Sequence, residues 1–236
     1  VGGLGCGLMG AGLAQVSAAA GFETYVREVE DEPLDRGMAS IRKTLTGAVE
    51  RDRLTEEERQ GIESRLQPTT KLAVLEDCDI VIEAVTENLE LKQAVWREVD
   101  VVVSANAIFA SNTSSLTIAA MAGATQRSDR FVGIHFFYPV PAMKLVEVVR
   151  TVTTSDEVYD RAHEFVLAIG KDPIAAKDQS GFTVNLLLVP YLLDAILSLE
   201  RGVASVADID KGMQLGCGYP MGPFTLCLLY TSDAAD

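Results

Sequence analysis

Apolar and polar positions in this chain alternate in blocks rather than residue by residue. Short runs of Val, Ile, Leu, Ala and Phe stand at residues 72–75, 80–84, 108–111, 132–137 and 145–149, separated by charged stretches with helical character. Runs that are apolar on both faces, alternating with helices, predict a largely parallel sheet covered on both sides. The chain opens on what reads as the end of a strand, followed by an Ala-rich helix over 8–20 and a second strand over 22–26. A helix is expected over 38–50. Another is expected over 155–169, where Ser155 followed by Asp156 and Glu157 makes a helix start. After Lys177 the pattern changes: residues 178–181 read as a hinge, and 183–202 as one long apolar helix that needs packing partners. The expected organisation is an α/β domain over 1–177 followed by an all-α region from 178.

Composition narrows the class. With 236 residues and 48% hydrophobic content, the chain can bury one large core or two. A formal net charge of −14 without basic clusters argues against nucleic acid and anionic membranes as partners. Cys6, Cys78, Cys217 and Cys227 have neither metal-ligand nor CxxC spacing, so no metal is expected and reduced thiols in the cytoplasm are. The longest apolar run, 182–193, contains Asn185, Pro190 and Tyr191 and is too short to span a bilayer.

Two places carry candidate chemistry. The first is GCGLMG, residues 5–10, between a strand and a helix. In that context Gly5, Gly7 and Gly10 form a dinucleotide-binding turn. Gly5 allows the tight bend, Gly7 lets the backbone approach a pyrophosphate, and Gly10 permits close helix packing. Glu28, at the end of the second strand, can accept from a ribose hydroxyl and favours NAD over NADP, although Arg27 beside it could accommodate a 2′-phosphate. The second place is 131–150. His135 falls near the end of one strand and Glu147 inside the next, with Pro139 and Pro141 turning the chain between them. A lone carboxylate among Leu145, Val146, Val148 and Val149 would cost on the order of several kcal/mol to bury, so an imidazole held by it is the simplest account. That pair is the construction of a general base. Upstream, Ser111, Asn112, Thr113, Ser114 and Ser115 follow an apolar run and lie at the sheet edge where ligands bind.

These motifs, with DIVIEAVTEN, ASNTSSL, HFF-P-P-MKLVEVV, GF-VN and PMGP in order over residues 1 to about 226, resemble the L-3-hydroxyacyl-CoA dehydrogenase family, of the stand-alone 3-hydroxybutyryl-CoA type. The resemblance implies a Rossmann-type, mostly parallel sheet followed by a helical domain for substrate and dimerisation. It also implies an enzyme that interconverts (S)-3-hydroxyacyl-CoA and 3-oxoacyl-CoA with NAD(H) in fatty-acid β-oxidation or butanoate metabolism, as a homodimer. Within it His135 matches the base and Glu147 the carboxylate that orients it. Ser114 matches the hydroxyl on the substrate oxygen and cofactor, and Asn185 the amide at the developing oxyanion. Leu8 and Met9 of the glycine turn, with Glu87, Lys92 and Tyr138, fall at cofactor positions. Thr44 and Arg51, with Lys43 nearby, fall where the family holds CoA.

The chain departs from the family pattern at Tyr138, where asparagine is usual, and at Ser180 and Leu186, where proline and arginine are usual. Two other readings remain open: an NAD-dependent hydroxy-acid dehydrogenase on the same scaffold, and a non-catalytic, crystallin-like NAD-binding protein. KLVEVV and PMGP favour the acyl-CoA reading over the first, and the retained His135, Glu147, Ser114 and Asn185 speak against the second. Residues 227–236, CLLYTSDAAD, match the in-frame translation of a common transposase sequencing adapter. The sequence reading is therefore that the helical domain begun at 178–226 is incomplete, and that the printed chain packs poorly without its continuation.

Overall fold

The computed structural model describes residues 1–232, and side chains through residue 228. Two compact units divide at Phe182 and Thr183. In the first unit lie eight described strands: β1 (Gly2–Leu4), β2 (Thr24–Arg27), β3 (Leu66–Thr69), β4 (Ile80–Glu83), β5 (Ile108–Ser111), β6 (Phe131–Phe136), β7 (Leu145–Arg150) and β8 (Asp172–Lys177). They form one sheet in the order β3-β2-β1-β4-β5-β6-β7-β8. All neighbours are parallel except β6 and β7, which pair antiparallel. The helices of this unit are α1 (Leu8–Ala19), α2 (Asp31–Glu50), α3 (Glu56–Ser64), α4 (Leu89–Val102), α5 (Ile118–Ala122) and α6 (Asp156–Ala168).

Burial on both faces explains the unbroken apolar strands. Ile80 and Ile82 of β4 and Ile108 and Ala110 of β5 pack toward α1 and α6, where Leu13, Val16, Val158 and Phe165 meet them. Their neighbours Val81 and Phe109 point the other way, to Trp96 and Val99 of α4 and Met121 of α5. Trp96 is fully buried with its ring centroid 4.8 Å from those of both Phe109 and Phe131. The second unit holds α7 (Val184–Glu200), α8 (Val206–Cys217) and α9 (Pro223–Ser232), with α9 packed on both of the others. Asp210 of α8 ties down the start of α9 by accepting from the Phe224 and Thr225 amides at 2.8 and 2.9 Å. Among the described residues no helix is long and apolar enough to cross a membrane.

The elements differ from expectation in three ways. Leu72–Leu75 is a 3₁₀ turn, not a strand: Leu72 and Leu75, three apart, pack on the core while Ala73 and Val74 face outward. Strands β3 and β8 were not anticipated. Each contains a proline, Pro68 and Pro173, which edge strands tolerate because one side of their ladder is unpaired. Helix α2 begins at Asp31 instead of 38, with Pro33 in the first turn, where its missing N–H leaves nothing unsatisfied. The adapter reading of 227–236 falls partly on α9, and residues 233–236 lie outside the described residues.

Candidate active site

The carboxyl edge of the sheet gathers most of the sequence-predicted residues. Between β1 and α1, Gly5 has φ +95°, and a Cβ there would lie 2.8 Å from the Ala84 carbonyl oxygen. A Cβ on Gly10 would meet the Gly5 carbonyl oxygen at 2.1 Å, so α1 can approach the turn only as glycine. Gly7 is the N-cap of α1, with nothing within 4 Å of where its Cβ would be and no side-chain cap. The free amides of the first turn therefore face outward at the positive end of the helix, a built anion site. Glu28, just past β2, accepts from the Cys6 amide at 2.6 Å and closes the turn from the other side. This cradle fits a dinucleotide: close backbone, free amides for the pyrophosphate, and a carboxylate for a ribose.

Across the sheet, β6 and β7 pair with His135 directly opposite Glu147. The His135 Nδ1 and Glu147 Oε2 are 2.7 Å apart, with both side chains buried. An ionised carboxylate only accepts, so the hydrogen sits on Nδ1 and Nε2 keeps its lone pair. The ring lies between Phe137 and Phe182, at centroid distances of 4.6 and 5.4 Å. Packing thus fixes the imidazole plane while the carboxylate fixes its tautomer. Just past the neighbouring strand, Asn112 Oδ1 accepts from the Phe136 amide at 2.9 Å and locks the loop after β5 to the strand that carries His135.

Between these two regions lies a polar network that the sequence reading only partly named. Glu83, fully buried at the end of β4, accepts from Lys92 Nζ at 2.5 Å, Ser111 Oγ at 2.7 Å and the Val85 amide at 2.7 Å. Lys92 also reaches Glu87 Oε2 at 3.3 Å. Glu87 in turn accepts from the Thr113 hydroxyl, the amides of Ser114 and Ser115, and the Ser115 hydroxyl. Burial pushes Glu87 upward, but the Thr113 hydroxyl, the Lys92 ammonium and the Ser115 hydroxyl outweigh it and hold the carboxyl below its ordinary value. Glu83 has no role in the sequence reading, and Asn112 only a place in the polar cluster at the sheet edge. The available signal for Glu83 was a lone acid ending the apolar run IVIE, beside a serine ending IFAS.

Two of the cavities beside α1 gather sequence-predicted site residues. One of about 200 Å³ is lined by Met9, Glu87, Lys92, Asn112 and Ser114 among others. Among the described residues the Ser114 hydroxyl has no partner, which leaves it free toward a ligand. The other, about 350 Å³, brings together Leu8, Thr44, Arg51 and Tyr138, so Leu8 and Tyr138 line the same space as the two residues expected at CoA. Lys43 does not line it. Thr44 donates its hydroxyl to the Ser40 carbonyl, one turn back. Asn185 stands in the first turn of α7, in the second unit, half-buried there. Among the described residues no cluster of His, Cys, Asp or Glu could hold a metal ion.

Comparison with known proteins agrees with this geometry. Residues 1–179 match the model of the 3-hydroxyacyl-CoA dehydrogenase NAD binding domain, and residues 181–236 that of the C-terminal domain of the same family. The chain is 45% identical over 230 residues to the mitochondrial hydroxyacyl-coenzyme A dehydrogenase of Homo sapiens, covering 94% of this chain and 73% of that protein. It is 45% identical over 235 residues to a 3-hydroxybutyryl-CoA dehydrogenase of Mycobacterium tuberculosis, covering 99% and 82%. Among solved structures, (S)-3-hydroxybutyryl-CoA dehydrogenase from Ralstonia eutropha superposes with a TM-score of 0.93 at 40% identity, over 95% of this chain and 80% of that one.

Proposed function

The chain belongs to the 3-hydroxyacyl-CoA dehydrogenase family, and we propose that it is an NAD-dependent oxidoreductase interconverting (S)-3-hydroxyacyl-CoA and 3-oxoacyl-CoA, with the four-carbon 3-hydroxybutyryl substrate as its short-chain form. The observation that carries this reading is the buried His135–Glu147 pair at 2.7 Å, held at the sheet edge that also bears the glycine turn. NAD, when bound, supplies the hydride acceptor. Gly5, Gly7, Leu8, Met9 and Gly10 would hold its pyrophosphate side and Glu28 a ribose, with Glu87, Lys92 and Tyr138 on the remaining cofactor contacts.

In this mechanism His135 Nε2 removes the proton from the 3-hydroxyl as the carbon loses its hydride, and Glu147 stabilises the imidazolium that results. Ser114 would hold the substrate oxygen while charge develops on it. Thr44 and Arg51 give the acyl-CoA a local positive and polar contact on a chain whose net charge is −14. The Rossmann-type unit would serve the cofactor over 1–177, and the helical region from 178 the substrate and a homodimer contact. Exposed Leu187, Leu193 and Leu215 support that contact. Cys6, Cys78 and Cys217, without a disulfide among the described residues, fit the cytoplasm.

The test is reduction of acetoacetyl-CoA by NADH, followed by the loss of NADH absorbance. His135→Gln should lose roughly 10²–10⁴-fold in kcat while still binding NADH, and Glu147→Gln should also fall because the imidazolium loses its counter-charge. Parental turnover in either variant would remove the paired base from the mechanism, and turnover of a free hydroxy acid in preference to the thioester would favour the related hydroxy-acid dehydrogenase.

A further inference from the structure

Lys171 is a buried cation that the reaction does not use. It lies between α6 and β8, only 6% exposed, just after Gly170, whose φ of +74° turns the chain back to the sheet. Its ammonium donates to three carbonyl oxygens: Val140 at 2.6 Å, Met143 at 2.8 Å and Pro141 at 3.3 Å. Among the described residues no carboxylate pairs with it. Three converging donors answer three acceptors of one loop, so the charge is solvated by backbone alone.

That loop is the connection from the strand of His135 to the strand of Glu147. With Pro139 and Pro141 in it, it has no ladder of its own; its internal bonds run from the Ala142 and Met143 amides to the Pro139 carbonyl. Its residues 138–142 form one wall of the cavity of about 350 Å³ whose other wall carries Thr44 and Arg51. Val140 is fully buried against α1, where a Cβ on Gly12 would come within 2.8 Å of it. The loop's outward face therefore shapes the cavity, and its inward carbonyls are held by one side chain.

We propose that Lys171 is a positioning residue for the acyl-CoA: it clamps the 138–143 loop so that the wall facing Thr44 and Arg51 is formed before substrate arrives. Pre-forming a wall favours binding of the group that lies against it, whereas a base already fixed by Glu147 keeps its own geometry. Loss of the clamp should thus raise KM for the thioester more than it lowers kcat.

The experiment compares the parent with Lys171→Met, which keeps the length without charge or donors, and Lys171→Arg, which keeps charge and donors in a different geometry and so guards against a variant that fails to fold. Amide hydrogen exchange over 138–143, read without ligands, should quicken about tenfold or more in Lys171→Met and less in Lys171→Arg. KM for acetoacetyl-CoA should rise roughly tenfold and about threefold respectively, and by more than KM for NADH, which only Tyr138 of this loop contacts, with kcat at saturation within about twofold of the parent, a displaced wall costing binding before chemistry. Unchanged exchange and KM in a folded variant would overturn the proposal. So would a loss shared equally by NADH affinity, kcat and thioester KM, which marks a structural role only. The choice of substrate rests on the acyl-CoA reading. A parent inactive on acetoacetyl-CoA would count against that reading, while the exchange rates would still decide whether Lys171 holds the loop.

Discussion

At the residue scale the site separates groups that do chemistry from groups that only fill space, and the environment of each decides which it is. Cys6 sits inside the glycine motif, yet burial and the adjacent Glu28 carboxylate push its thiol up to about 12, so at neutral pH it is a packing group. Glu28 is different: one oxygen takes the Cys6 amide at 2.6 Å and the other the Val29 amide at 3.2 Å, fixing the carboxylate at the end of β2. A 2′-phosphate placed there would face a fixed negative charge. The enzyme should therefore prefer NADH, and Glu28→Ala should narrow the NADH/NADPH ratio of kcat/KM by roughly tenfold, since like charges in contact cost on the order of kcal/mol. A parental preference for NADPH would hand the site to Arg27 instead.

At the element scale the loop from β5 to α5 is organised from outside itself. Its Thr113, Ser114 and Ser115 converge on Glu87, which precedes α4, and the first amides of α5 are taken by Asp178 at 2.7 and 2.8 Å. Because its carboxyl is held below the ordinary 4.5, the unfolded chain binds the proton more readily than the folded one. The stability Glu87 contributes is complete above about pH 4.5 and is lost as pH falls through the lower folded value. Glu87→Gln should melt a few degrees below the parent at pH 7, reduced by the partial exposure of the side chain, and the gap should narrow as pH falls below about 4.5. Thermal melts of both proteins between pH 3 and 7 decide it; a gap independent of pH would mean that Glu87 acts through shape alone.

At the scale of the whole molecule the two units present different surfaces. The first buries its apolar strands on both faces, whereas α7 and α8 of the second expose Leu187 at 69%, Leu193 at 53% and Leu215 at 77%. Large apolar side chains left exposed on a helical unit point to an association site. The active enzyme should sediment as a dimer, and Leu187→Glu with Leu193→Glu should shift it toward monomer without changing NADH affinity. A monomeric active parent would remove the dimer from the reading.

The sequence by itself determined the sheet's central strands, because β4, β5 and β6 are buried on both faces and so must be continuously apolar. It also determined the glycine turn, since Gly5 and Gly10 are forced by backbone approach, and the His135–Glu147 partnership, since a carboxylate within an apolar strand needs an answer. Its edges were not legible: β3 and β8 are half-exposed and hold prolines, which weakens the very pattern that announces a strand. Nor could order along the chain show that Glu83, Lys92, Glu87 and Thr113 form one network, or that Lys171 closes on Val140, 31 residues earlier. Those contacts exist because parallel crossovers bring the ends of distant strands to one edge. Only the tertiary structure decides which carbonyl or carboxylate a buried ammonium finds there, because each such group is satisfied by a partner that its own segment does not contain.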